Sequence, residues 1–321
     1  MGYCDSFEPL TELEYIVAPS LVLPIDSLLS FHNLKEVIVA KLSLKMEPDT
    51  QFSLDAPLFN TLKLLIVSYI SSSFFAGQTF QKLERYKEEF TFDQYIPGLG
   101  PLAEMPVCTR LVVPVVRLAT LKLPQIRQLG VRIDRKYDHI WEKHIAVNAN
   151  LSGLKLLHLR YAFRAPSIAL VKIIGLLPAL ETLIIDAECL IVSVVNFFEA
   201  LVPMNVLGPS GVNQSGWPGQ ISGVICPRLE DLRIQGVNLT TNLIPVLEDI
   251  VNLRAIIGSP LKIFTFCFHG HSDRRQEWQL IGRDKSFMMQ EVIPARIFPL
   301  DIDLGYSDRL WTLTSSRAVG R

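Results

Sequence analysis

No two cysteines in this sequence stand as CxxC. The five present, Cys4, Cys108, Cys189, Cys226 and Cys267, are scattered and odd in number, which argues against a disulfide framework or a zinc site and fits reduced, mostly buried thiols. An excess of either charge is also missing. Lys plus Arg (31) nearly cancels Asp plus Glu (32), so there is no global field to hold nucleic acid or an anionic membrane. The longest apolar stretch, 190–208, is interrupted by Asn196, Glu199, Pro203 and Asn205. A membrane span needs about 20 predominantly apolar residues, and a buried helix is the simpler account.

The opening residues include Asp5, Glu8, Glu12 and Glu14 where a signal peptide would place basic and then apolar residues, so the expected compartment is intracellular, cytoplasmic or nuclear. In that compartment the sequons at Asn150, Asn213 and Asn238 are chance matches. The start MGYCDS fits a myristoylation pattern in form, but bulky Tyr3 stands beside the glycine.

Catalytic motifs are absent as well. GxxxxGK[ST], GxSxG and HExxH do not occur, which removes the starting residues of the commonest nucleotide, acyl-transfer and metalloprotease mechanisms. The expectation is a non-enzymatic protein without a cofactor. The most enzyme-like cluster is His269-Gly270-His271-Ser272-Asp273, where two imidazoles and a carboxylate leave a predicted strand; no further ligands with metal-site spacing accompany it, and a polar turn eased by Gly270 is the simpler account. His139 and His144 stand five apart, off the spacing that puts two imidazoles on one helical face. Two alternatives stay open: a metal-binding protein or hydrolase centred on His269 and His271, and a secreted or surface repeat protein using the sequons.

What the sequence does have is a repeat. With 49% hydrophobic residues in 321, it can supply a long continuous core. LPQIRQLGV (123–131), LPALETLII (177–185) and CPRLEDLRI (226–234) share the frame apolar-Pro-x-apolar-x-x-Leu-x-Val/Ile, and FHNLKEVIV (31–39), FNTLKLLIV (59–67), LSGLKLLHL (151–159) and SPLKIFTF (259–266) are looser copies. The terminal L-x-L or L-x-I/V alternates at period 2, as a strand with one buried face requires, and the apolar residue three places upstream fills the bend into it. Helical periodicity follows at 167–177, 190–201 and 240–251. Residues 68–117 fit the frame poorly, and a further strand is expected within LATLKL (118–123).

A strand–helix unit cannot bury its own apolar face, so neighbours must stack. The predicted fold is α/β, a leucine-rich-repeat-like solenoid with parallel strands on the concave side and helices on the outer side. Strands are expected at 37–39, 65–67, 129–131, 157–159, 183–185, 232–234 and 264–266, neighbouring in chain order. Residues 1–30 are read as an N-terminal segment or cap, 31–272 as the solenoid, and 273–321 as a C-terminal cap with a loosely held tail.

The CPRLEDLRI, LPALETLII and LPQIRQLGV units resemble the degenerate leucine-rich repeats of F-box proteins of mushroom-forming fungi, in pieces over about 31–270. That resemblance implies a substrate-recognition subunit of a ubiquitin ligase, with another protein as target and a ligase adaptor as second partner. Two departures stand out. Leu42, Ala162 and Val237 occupy the places of the regular repeat's ladder Asn or Cys. LPIDSLLSF (23–31) looks like the opening of an F-box but runs directly into LKEVIV. The candidate binding residues come from strand alternation: if Leu229, Leu232 and Ile234 point inward, His158, Ile184 and Arg233 form an outward strip on three successive units.

Overall fold

The computed structural model describes residues 12–24, 28–45, 57–67, 70, 75, 77–88, 103–118, 120–133, 151–161, 174–187, 201, 225–237, 243–256, 258–268, 277–283 and 286–292. They fall into two compact units, the first up to Arg132 and the second from Ile133 onward. The fold is α/β, and the described residues are dominated by parallel strands, with few helices among them.

In unit 1, β1 (Tyr15–Pro24), β2 (Glu36–Lys45), β3 (Leu64–Val67), β5 (Arg85–Glu88), β7 (Arg110–Pro114) and β9 (Gln128–Ile133) pair in that order, all parallel. The two-residue strands β4 (Gln78–Thr79), β6 (Ala103–Glu104) and β8 (Leu121–Lys122) form a second parallel sheet. Unit 2 pairs β10 (Leu156–Tyr161), β11 (Thr182–Ala187), β12 (Asp231–Val237) and β13 (Ile263–Phe268) in parallel, followed by the antiparallel β14 (Glu277–Arg283) and β15 (Ser286–Val292). The helices include α1 (Pro57–Thr61), α2 (Val115–Leu118) and α3 (Leu243–Ile256).

All seven expected strands are present, and within each unit they run parallel in chain order. Three more belong to the unit 1 sheet: β1 lies inside the segment read as a cap, while β5 and β7 lie inside the stretch that fitted the frame poorly. Their units do keep the frame, as FQKLERYKE (80–88) and MPVCTRLVV (105–113). The first keeps its anchor Leu83 but has Tyr86 and Glu88 at the inward strand positions, and the second keeps Leu111 and Val113 inward but has Cys108 as its anchor, so each departs from the frame at part of its marking positions. The LATLKL strand is β8, in the small sheet and not the main one. Unit 1 connections carry short strands as well as short helices, because steps such as Cys108 to Ile126 leave little chain for a helix between strands. Of the expected helices, 240–251 falls on α3, and most of 167–177 and 190–201 lies outside the described residues.

The same backbone device joins successive units. The carbonyl of Lys35 accepts from the amides of both Lys63 and Leu64, that of Lys63 from Glu84 and Arg85, that of Glu84 from Thr109 and Arg110, and that of Thr109 from Arg127 and Gln128. In unit 2 the carbonyls of Lys155, Glu181 and Glu230 do the same for the next unit. The acceptor always follows the buried anchor (Leu34, Leu62, Leu83, Cys108; Leu154, Leu180, Leu229). One acceptor serving two donors satisfies the amides at each strand's entry and sets its register. Side chains at these positions pair across units: Lys35 with Glu14, Lys155 with Glu181 at 2.9 Å and Lys262 with Glu230 at 2.7 Å. Being solvent-exposed, such pairs add little stability, but they favour this alignment over a slipped one.

The register stacks inward residues into columns. Leu157, Leu183, Leu232 and Phe264 form one in unit 2, with Leu159, Ile185 and Ile234 the next, all buried. Leu232 has no exposed surface, so Leu232→Ala should cost about 2–5 kcal/mol in a urea titration. A loss under about 0.5 kcal/mol, the size of a surface change, would remove Leu232 from the core.

Candidate functional site

The outward row of unit 2 is aligned by the same register. His158 on β10 is the backbone partner of Ile184 on β11, which is the partner of Arg233 on β12, which in turn faces Thr265 on β13. Sequence reasoning therefore placed the three residues in one contiguous row. Ile184 and Arg233 are half-buried. Arg233 grips Asp231, two residues back on the same face: Nε donates to Oδ1 at 3.0 Å and Nη2 to Oδ2 at 2.7 Å. This fork-to-carboxylate geometry holds the guanidinium in one orientation. Leu156 and Thr182 border the row half-buried, and Ile263 is exposed.

His158 departs from expectation. It is 2% exposed, where strand alternation predicted an open side chain. Alternation decides which way a side chain leaves the sheet, not whether other chain lies over it. Its Nε2 has no hydrogen-bond partner. Burial, and secondarily the charge of Arg160, push its pKa down to about 4, so the ring is neutral at pH 7.

Unit 1 contains a buried ionic group that sequence reasoning missed. Glu88, at an inward strand position, meets Arg117 of α2, with side chains 0% and 1% exposed. Arg117 Nε donates to Glu88 Oε2 at 2.7 Å, and its Nη2 donates to Glu88 Oε1 at 3.1 Å and to the Ile70 carbonyl at 2.8 Å. The Tyr86 hydroxyl donates to Glu88 Oε2 at 2.6 Å. Burial, reinforced by the Glu88 charge, holds Tyr86 well above the usual phenol range, so it stays a donor. The guanidinium carbon lies 4.9 Å from the centre of the Phe75 ring, a cation–π distance. The sequence signal was a carboxylate at an inward strand position, which demands a cation in the fold. With almost no surface open to water, the group serves packing and register and cannot meet a substrate.

A second buried cation, Arg254 of α3, is 0% exposed. It donates to the carbonyls of Ile225 and Cys226 at 3.0 and 2.7 Å and to Ser259 Oγ at 3.0 Å. Burial lowers its pKa. These bonds hold Cys226 at φ 51°, a left-handed conformation that costs a β-carbon-bearing residue about 1–2 kcal/mol. The thiol of Cys226 donates to the Ile174 carbonyl at 3.2 Å. Burial pushes Cys226 and Cys108 up to about 12, which keeps both as unreactive thiols at neutral pH.

His269, His271, His139 and His144 lie outside the described residues. Among the described residues no group of three or more His, Cys, Asp or Glu side chains is placed to hold a metal, and no helix is long and apolar enough to cross a membrane. No protein-family model matches the chain, no curated protein matches its sequence and no solved structure matches its fold.

Two predictions follow from the buried ionisable groups. His158 has a folded-state pKa of about 4, below its ordinary 6.5, so between those values the unfolded chain binds the extra proton. The stability it contributes is complete above about pH 6.5 and is lost as pH falls toward 4, by roughly 3 kcal/mol. Urea titrations at pH 7.5 and 4.5 should show a larger acid-induced loss in wild type than in His158→Leu; equal losses would place the ring in water. Arg117→Met, which strands Glu88, should cost about 3–5 kcal/mol, and adding Glu88→Leu should restore part of it. A double variant no better than the single one would show that the ionic interaction does not dominate that loss.

Proposed function

We propose that the chain is a leucine-rich-repeat-like solenoid acting as a non-enzymatic protein-binding scaffold, and that the outward row centred on Ile184 and Arg233 contacts its partner. The observation that carries this reading is the register, His158 to Ile184 to Arg233 as consecutive backbone partners. It sets a half-buried apolar side chain between an imidazole and an arginine already held by Asp231. Anchors of this kind dominate binding energy when they lose little freedom on association, and the double bond to Asp231 has restricted Arg233 in advance. His158 flanks Ile184 in the row as a buried neutral ring. The resemblance to fungal F-box repeats suggests the finer version, a ubiquitin-ligase receptor that holds a target protein on this row and a ligase adaptor elsewhere in the protein.

The test is affinity capture with the full chain and with an Ile184→Asp, Arg233→Ala double variant of unchanged thermal melting, quantified by mass spectrometry. Partners specific to wild type should fall about tenfold or more in the variant, a change of about 1.4 kcal/mol. Equal recovery of every specific partner would reject the row, and a purified ligase adaptor that fails to bind the full chain would reject the F-box version.

A further inference from the structure

We propose that the outward face of β5, β7 and β9 in unit 1 is a docking surface for an extended acidic segment of a partner protein. Tyr86 and Glu88, Leu111 and Val113, and Leu129 and Val131 point inward and are buried, so the residues between them face outward. Those outward positions hold Arg85 and Lys87 on β5, Arg110 on β7 and Arg132 on β9, and no carboxylate. Arg85, Arg110 and Arg132 are half-buried, and Lys87 is 5% exposed. Arg85 and Arg110 are direct backbone partners, and Gln128 continues their line on β9. In the unit 1 sheet the nearest carboxylate at an outward strand position, among the described residues, is Glu36 of β2, which Leu64 of β3 separates from Arg85. Glu84 stands before β5 at the rim, where its carbonyl bonds the next unit. A chain with a net charge of -1 thus gathers four cations on the outward side of adjacent strands.

The occupant follows from charge and dimensions. Like charges in direct register, as in Arg85 and Arg110, cost stability, and a carboxylate set between two guanidiniums offsets that cost. Each of the four cations also interacts within the chain. A guanidinium has several N–H donors and holds more than one acceptor at once, so a partner's carboxylate adds to those contacts. Lys87, nearly covered, contributes to the positive field, and the half-buried arginines make the contacts. Arg132 lies two strands across from Arg85 and four residues beyond Gln128 in the register. With strands about 4.8 Å apart and a rise of about 3.3 Å per residue, the row from Arg85 to Arg132 spans roughly 16 Å, the length of about five residues of extended peptide. Proteins that track a nucleic-acid strand stack bases on aromatic side chains, and the outward positions of β5, β7 and β9 carry none. A protein segment with acidic residues at alternate positions fits the charge, the length and the lack of stacking groups.

The test is fluorescence anisotropy with the full chain and a fluorescein-labelled peptide of about eight residues, aspartate alternating with serine, long enough to span the row. The comparison is the same peptide with asparagine for aspartate. At about 50 mM salt the aspartate peptide should saturate with a Kd below about 100 µM, the asparagine peptide should bind about tenfold or more weakly, and about 300 mM salt should weaken the former several-fold. Arg85→Gln and Arg110→Gln, with unchanged thermal melting, should each weaken binding about threefold or more. Arg127→Gln, at an exposed position before β9, and Ile184→Asp in unit 2 should bind like wild type. No saturation up to about 1 mM would overturn the proposal, as would equal binding of the two peptides; both measurements use the wild-type chain and hold even where a variant does not fold. Arginine variants that bind like wild type, loss of binding in Ile184→Asp, or an oligouridylate of similar length and label that binds more tightly than the peptide would overturn it too. Because Ile184 and Arg233 lie in unit 2, failure here leaves the partner-binding row independently testable.

Discussion

One backbone carbonyl per repeat, at the residue following the buried anchor, accepts two amide hydrogens from the next unit, and the alignment of both parallel sheets follows from that shared acceptor. A parallel strand slipped by one residue would turn its inward set to the other face. The carbonyls of Lys35, Lys63, Glu84 and Thr109 in unit 1, and of Lys155, Glu181 and Glu230 in unit 2, exclude that slip at each step. The ion pairs at the same positions repeat the instruction in side chains. Columns of buried leucine and valine, and the outward row through Ile184 and Arg233, follow from this register.

A repeat held in this way tolerates large changes in what fills its inward positions. Where other units present leucine and valine, β5 presents Tyr86 and Glu88, and α2 answers with Arg117. Such a group has a weak claim to net stability, because desolvation of both ions offsets their attraction. Its effect is on specificity: a misaligned strand would leave Glu88 in an apolar core without a cation. Arg254 does comparable work in unit 2 with carbonyl oxygens, holding the bend at Cys226 before β12.

Much of this was legible. The L-x-L and L-x-I/V endings located seven strands, their parallel order and the contiguity of His158, Ile184 and Arg233, because period 2 and a fixed anchor spacing are properties of the sequence alone. The strands β5 and β7 were hidden for a definable reason. Their inward or anchor residues are Tyr86, Glu88 and Cys108, and a hydrophobic pattern does not register a buried carboxylate. β1 was missed although the Glu14 carbonyl, after Leu13, accepts from Lys35 and Glu36 as in the other units; Ala18 stands where the frame closes on valine or isoleucine, and Pro19 interrupts its apolar run.

The sequence by itself determined the repeating unit, the direction its inward residues face and the absence of the common catalytic motifs, since each depends on local spacing or on which residues are present. Only the tertiary structure decided that Arg117 finds Glu88 from 29 positions away in the numbering, that β1 ends the unit 1 sheet among the described residues, and that His158 is buried while Ile184 is half-exposed. These depend on which distant segments come to lie together. Burial and electrostatics act through space, and no periodicity along the chain records them.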